Sequence, residues 1–225
     1  MRKSYSTLLK IASVVATVLI IARFTGIISY YRIPTPSMAP TVNVGDHIFA
    51  TNLLKPADNR IVVFNYWSGG KKTPYLKRVA AMPGETLELR HGLVYVNGQL
   101  HEDTTTLYFE YKTSRDIYLN HNNRLRKNPV AELPSGEGVL LTLSSQDLSG
   151  FKAEEKPQRI IFPKGTGYQE VAFYTAHGWS IDEFGPIIIP ADSCFVLGDN
   201  RHNSLDSRYF GCIAMKDITG VLLNK

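Results

Sequence analysis

Ile61-Val-Val-Phe-Asn-Tyr-Trp67, then Ser68-Gly-Gly-Lys-Lys72, then Tyr75-Leu-Lys-Arg-Val-Ala-Ala-Met82: this run decides how the chain folds. Its first and last pieces are rich in β-branched and aromatic residues, which suit a pleated, half-buried strand. The glycine pair between them signals a loop, and Pro83-Gly84 stops the second strand. One residue in the run is out of character. Lys77 stands among apolar neighbours, whereas a lysine in a strand ordinarily points to water.

The same pattern extends outward. Upstream, Val42-Asn-Val-Gly-Asp-His-Ile-Phe-Ala50 reads as a turn at Gly45-Asp46 entering a strand. Downstream, Thr86-Leu-Glu-Leu-Arg90 and Leu93-Val-Tyr-Val96 flank the turn His91-Gly92, and Asn97-Gly98 marks another tight turn. Residues 101–185 are polar and less regular, with short helices expected near residues 114–123 and 144–152. They read as an inserted α+β lobe. Ile187-Ile-Ile-Pro190 and Ser193-Cys-Phe-Val-Leu197 return to strand character, and an apolar segment over residues 209–221 closes the sheet. The expected fold is therefore mainly β: an antiparallel β-sheet domain from residues 32–100 and 186–225, interrupted by the lobe 101–185.

Residues 1–31 differ. Arg2, Lys3 and Lys10 precede Ile-Ala-Ser-Val-Val-Ala-Thr-Val-Leu-Ile-Ile-Ala22, and the apolar character resumes after Arg23. As a helix, residues 8–31 would extend about 36 Å, enough to span a bilayer. No small-x-small cleavage signal follows, so an uncleaved transmembrane helix is favoured over a signal peptide. Arg23 would snorkel, and Tyr30 and Tyr31 would sit in an interfacial belt. The basic end would stay in the cytoplasm, with everything after residue 31 outside.

Composition narrows the partners. The chain has 225 residues, a formal charge of +5 and a 44% hydrophobic content, so it can bury a core. There is no long Lys/Arg run, although Arg124, Arg126 and Lys127 cluster, and nucleic-acid binding is not expected. His121 and His177 lack ligand spacing and read as solvated surface. No metal, nucleotide or flavin motif stands out, so no cofactor is expected. The two cysteines, Cys194 and Cys212, fit neither a redox pair nor a zinc site. Two buried thiols are the simpler reading, and a disulfide is the alternative in an oxidising compartment. A monomer is expected.

Immediately after the apolar segment comes Ile33-Pro-Thr-Pro-Ser-Met-Ala-Pro-Thr41. Its prolines forbid a helix and hold their neighbours extended. One hydroxyl, Ser37, is displayed on that stiff segment. Six histidines are present, but none pairs with an acid in a triad motif. A lysine can replace histidine as the base if burial lowers its pKa from near 10.4. A neutral Lys77 amine could then take the Ser37 proton.

Three segments, Pro34-Thr-Pro-Ser-Met-Ala-Pro-Thr41, Tyr75-Leu-Lys-Arg-Val-Ala-Ala-Met-Pro-Gly-Glu85 and Gly198-Asp-Asn-Arg-His-Asn-Ser-Leu-Asp-Ser-Arg-Tyr-Phe-Gly211, together resemble the type I signal peptidases, membrane-anchored serine proteases with a Ser/Lys dyad. The order also matches: anchor, serine box, lysine box, polar box. The resemblance implies Ser37 as nucleophile and Lys77 as general base. Thr35, with the Ser37 backbone N–H, would form an oxyanion hole. Ser204 would orient the lysine amine, Asp206 and Arg208 would form a supporting ion pair, and Asp199 and Arg201 would support the loop. Ile33, Met38, Tyr75 and Leu76 would line shallow apolar pockets. The substrates implied are exported preproteins at a lipid bilayer, cut after Ala-x-Ala-like sites at the outer face of the plasma membrane and held as an added strand.

Three positions depart from the family pattern. Thr35 replaces a frequent Ser, Pro36 occupies a position often Gly or Ser, and His202 stands where an acid is common, which leaves a second ion pair of that loop unassigned. Two other readings compete. One is a specialised relative, such as a conjugation maturation protease or an organelle inner-membrane peptidase. The other is a membrane-tethered binding domain whose Ser37 and Lys77 are inert.

Overall fold

The computed structural model describes residues 2–101, 104–125, 128–133, 136, 138–166 and 177–223. The elements in chain order are α1 (Arg2–Phe24), β1 (Ser29–Arg32), β2 (His47–Thr51), β3 (Ile61–Ser68), β4 (Lys71–Ala81), β5 (Thr86–Arg90), β6 (Leu93–Val96), β7 (Gln99–Leu100), β8 (Phe109–Thr113), α2 (Arg115–Leu125), β9 (Val130–Glu132), β10 (Val139–Leu143), α3 (Ser145–Leu148), β11 (Gln158–Arg159), β12 (Phe184–Ile188), β13 (Ser193–Leu197), α4 (Ser207–Phe210), β14 (Ile213–Ala214) and β15 (Ile218–Leu222). All strand pairs between these elements are antiparallel.

The β3–β4 hairpin is the spine. Its register runs without a break from Ile61 opposite Arg78 to Ser68 opposite Lys71. Gly69 and Gly70 both take positive φ, 59° and 77°, which is what a two-residue hairpin turn matching the strand twist requires. That tight turn lets β4 begin at Lys71, earlier than the aromatic residues alone announce. The seven-stranded sheet built on this hairpin has the order β1-β2-β15-β3-β4-β13-β14. The last strand of the chain, β15, thus fills the gap between β2 and β3. A second sheet, β12-β5-β6-β7, packs over Ala80, Ala81, Phe195 and Leu197 through Leu87, Leu89 and Phe184.

Between β7 and β12 the chain builds a third sheet, β11-β8-β10-β9, with α2 and α3 beside it. This sheet has a separate core of Leu107, Phe109, Tyr111, Leu125, Leu141 and Leu143. A capping box, Ser144 with Asp147, starts α3. His121 is not on a solvated face as expected. Its Nε2 lies 3.1 Å from Glu155 Oε2 and its ring packs on Phe151. His177 is exposed and stacks on Trp179. Arg126 and Lys127 lie outside the described residues.

The N-terminal segment corrects the sequence reading. Helix α1 ends at Phe24, and Gly26, at φ 73°, turns the chain. Tyr30 and Tyr31 belong to β1, paired with Phe49 and Ile48, and not to an interfacial helical belt. The single 24-residue span over residues 8–31 therefore does not form, because ladder bonds to β2 capture its last turn. Among the described residues no helix is long and apolar enough to cross a membrane. The side chains of Leu19, Ala22 and Phe24 lie outside the described ones.

The cysteines pack into different apolar clusters. Cys194 lies with Val62, Phe64 and Ile213, and Cys212 with the group around Phe195 and Phe184. Both thiols are free. Burial pushes Cys194 up to about 12 and Cys212 to about 11, so both stay protonated.

Candidate active site

Ser37 sits in a single 3₁₀ turn, Pro36–Met38, entered from extended backbone at Thr35. Met38 anchors that turn in a core of Ile33, Val42, Ile48 and Ile61, being only 1% exposed. Lys77 lies on β4 opposite Val62 and is 3% exposed. Its Nζ is 2.8 Å from Ser37 Oγ and 3.0 Å from the Leu76 carbonyl oxygen. The Tyr75 ring centroid is 5.6 Å away. Thr35 Oγ1 stands 3.4 Å from Ser37 Oγ, on the exposed side.

Burial dominates the charge state of Lys77. Desolvation pulls it down from 10.5 to about 8, with Arg208 adding to the fall and the carboxylates of Asp206 and Asp199 opposing it. A substantial fraction of the amines is therefore neutral near pH 8. A neutral amine this close to a hydroxyl can remove its proton.

The polar loop 198–208 closes the site from the other side. Asp206 and Arg208 form a fully buried ion pair with Nη2–Oδ2 at 2.8 Å and Nε–Oδ1 at 2.9 Å. Burial alone would raise the Asp206 carboxyl, but the Arg208 guanidinium and the hydrogen bond from the Gly198 N–H hold it below its usual range. Arg208 also donates to the carbonyls of Ile181 and Arg201. Arg201 donates to the carbonyls of Gly198 and Gly92.

Four residues that sequence reasoning left aside complete the arrangement. Alternation along β4 sends Arg78 away from Lys77 and into a two-bond contact with Asp199, at 2.8 and 2.6 Å. Thr41 Oγ1 donates to the same carboxylate at 2.5 Å. Asn200 holds the serine turn directly, its N–H donating to the Ser37 carbonyl at 3.1 Å and its carboxamide to that of Pro36. Gly198 allows the approach: a Cβ there would lie 2.1 Å from Ser204 Oγ and 2.5 Å from the Ser37 carbonyl. The only sequence signal for Arg78 was its position beside Lys77, and nothing local pointed to Thr41.

Ser204 is buried beside the pair, but its hydroxyl makes no hydrogen bond to Lys77; the second partner of the amine is the Leu76 carbonyl. His202, lacking a cationic partner, takes the acid Asp182 instead, with Nε2 at 3.0 Å.

The pair opens onto a groove of about 710 Å³. Ile33, Thr35, Met38, Tyr75 and Leu76 line it, together with Tyr31, Ile48 and Val63. One wall is the segment after β1 and the other is the first half of β4, so the sheet curls to bring these together. Strand β13 pairs β4 only from Arg78 onward, which leaves the β4 edge up to Lys77 open toward the groove. Pro74, lacking an N–H, is tolerated on that edge. Among the described residues no cluster of His, Cys, Asp and Glu is placed to hold a metal ion.

The family model for "Signal peptidase, peptidase S26" matches residues 5–223. The chain belongs to this family. A signal peptidase I of Buchnera aphidicola is 30% identical over 84% of this chain and 66% of its own length. A signal peptidase I P of Bacillus subtilis subsp. natto is 27% identical over 93% of this chain and 83% of its own. A crystal structure of a signal peptidase I from Enterococcus faecalis is 22% identical, covers 76% of this chain and 98% of that one, and superposes with a TM-score of 0.36. As a peptidase S26 member the protein is a serine endopeptidase, a hydrolase of peptide bonds.

Proposed function

We propose that the protein removes N-terminal signal peptides from exported preproteins by a Ser37–Lys77 dyad, cutting after Ala-x-Ala-like sequences. The observation that carries this reading is the 2.8 Å contact between the buried Lys77 amine and the Ser37 hydroxyl. Neutral Lys77 takes the Ser37 proton as Oγ attacks the scissile carbonyl carbon. The developing oxyanion is met by the Thr35 hydroxyl and the Ser37 N–H. The protonated amine then gives its proton to the leaving amine nitrogen, and the acyl-enzyme forms. Water, deprotonated by the same amine, hydrolyses that ester. The substrate lies extended against the open β4 edge, where backbone pairing supplies affinity and Ile33, Met38, Tyr75 and Leu76 admit small side chains. Asp206, Arg208, Asp199, Arg201 and Ser204 hold the loop that packs on the serine turn.

In this reading the enzyme works as a monomer at a lipid bilayer, since one chain supplies every residue named. Helix α1 is the membrane-associated segment. Its Leu8, Leu9, Val14 and Val18 are all more than half exposed, an arrangement that suits lipid. Residues 32–225, which carry the dyad, lie at the outer face of the plasma membrane. The catalytic β-domain comprises residues 32–100 and 186–225, with 101–185 as an inserted lobe.

The test is to incubate the full-length protein with a secretory preprotein and sequence the new N-terminus. Cleavage after a small-x-small sequence, lost in both Ser37→Ala and Lys77→Ala, is expected. Undiminished cleavage by either variant would remove the dyad.

A further inference from the structure

The lobe holds the polar loop along one short stretch of backbone and through side chains of the loop, among them Arg208, which donates to the Ile181 carbonyl, and His202. The Tyr108 N–H donates to the Asp199 carbonyl and the Arg201 N–H donates to the Tyr108 carbonyl, both at 2.9 Å. The chain entering β8 thus runs beside residues 199–201. One residue further, the His202 side chain leaves the loop and enters the lobe, where it is 1% exposed. Its Nδ1 accepts the backbone N–H of Glu110 on β8 at 3.1 Å. The ring proton therefore sits on Nε2, which donates to Asp182 at 3.0 Å. Asp182 is itself fully buried and also accepts the Phe162 N–H. Phe109 and Phe162 stand edge-on to the imidazole, at 6.0 and 5.4 Å.

What this grip holds is close to the reacting pair. Two residues before His202, Asn200 bonds the carbonyls of Ser37 and Pro36. Two residues after it, Ser204 lines the groove. We propose that His202 is a positioning residue for the reaction, by which the inserted lobe clamps loop 198–208 against the Ser37 turn. The imidazole suits the role because both ring nitrogens are used at once, one as acceptor and one as donor, so rotation is blocked. His202 also lines the groove, but its ring bonds Glu110 and Asp182 rather than Ser37 or Lys77, so its effect on the pair runs through the loop. The proposal rests on the Ser37–Lys77 reading.

The test uses the full-length enzyme in detergent micelles with a peptide carrying an Ala-x-Ala site. Rates are normalised to active sites titrated with an acylating inhibitor. His202→Asn keeps an oxygen to accept the Glu110 N–H, His202→Gln keeps a donor for Asp182, and His202→Ala keeps neither. The expected fall in kcat is about 100-fold for Ala and about tenfold for Asn and Gln, with KM changed by less than about twofold, the pattern of lost alignment. The pH of half-maximal kcat should also rise in the Ala variant. A loosened loop admits water to the Lys77 amine, whose other neighbours, Asp206, Asp199, Arg208 and Tyr75, remain in place. Should the Ala variant not fold, the Asn and Gln variants decide alone. Wild-type kcat in those two, or a loss carried wholly by KM, overturns the proposal. If Ser37→Ala still cleaves, the dyad fails and this inference with it. Wild-type kcat in the His202 variants while Ser37→Ala is dead removes only the clamp.

Discussion

Two cations are buried in one site, and they meet opposite fates. Lys77 on β4 and Arg208 on α4 are both almost fully removed from water, at 3% and 0% exposure. Lys77 is offered a hydroxyl and a carbonyl, and its pKa falls to about 8. Arg208 is offered the two oxygens of Asp206, and that carboxylate more than offsets its desolvation, so its pKa moves up. The difference lies in the partner, not in the depth. Burial without a touching carboxylate makes a base, whereas burial with one makes a strut. The two carboxylates that act on Lys77 do so from a distance, each already engaged: Asp206 by Arg208, and Asp199 by Arg78 and Thr41.

The contrast can be broken at either cation. The largest effect is expected for Lys77→Met, which should cut kcat by about 10⁴-fold or more in a peptide cleavage assay, since no other described group is placed to take the Ser37 proton. Arg208→Met leaves the Asp206 charge unpaired in the interior and should cost about 3–5 kcal/mol in urea unfolding. Adding Asp206→Asn should restore part of that, and no recovery would contradict the pairing account. Thr35→Val keeps the shape and removes the hydroxyl. It should lower kcat by about 10²-fold with little change in KM, if that hydroxyl meets the oxyanion.

A smaller effect, of opposite sign, sharpens the comparison. The folded state holds the Lys77 proton less tightly than the unfolded chain, about 8 against 10.5. The charged amine therefore costs stability below about pH 8. That cost shrinks as pH rises through the window and is gone above 10.5. Lys77→Met should accordingly be more stable than the parent by about 3 kcal/mol at pH 7, and the gap should close by pH 10.5. A constant gap would mean that the amine is not desolvated as described. Activity should rise through about pH 8 and level off above it, because only the neutral amine accepts the proton.

Much of the β framework was legible residue by residue. Gly69-Gly70, His91-Gly92 and Asn97-Gly98 each announced a reversal, and each pair takes the positive φ values that such turns need. The order of strands was not legible. Nothing in Ile218–Leu222 says that it will lie between β2 and β3, because that placement depends on edges made by residues far away in sequence. The N-terminal reading overshot for a related reason. Tyr30 and Tyr31 suit either a membrane interface or a strand edge, and only the presence of β2 decides between them. At the site, the residue types in the three motifs could be read locally, but Arg78 to Asp199 and His202 to Asp182 could not, being contacts across 121 and 20 positions.

By itself, then, the sequence determined the strands, their turns, a proline-stiffened serine and a lysine with greasy neighbours, since these follow from propensity and period-2 patterning within a few residues. Only the tertiary structure decided that the amine would lie against that hydroxyl with its nearest carboxylates already engaged. Protonation is set by whatever surrounds a group in space, and those neighbours arrive from the Ser37 turn, β4 and the polar loop together.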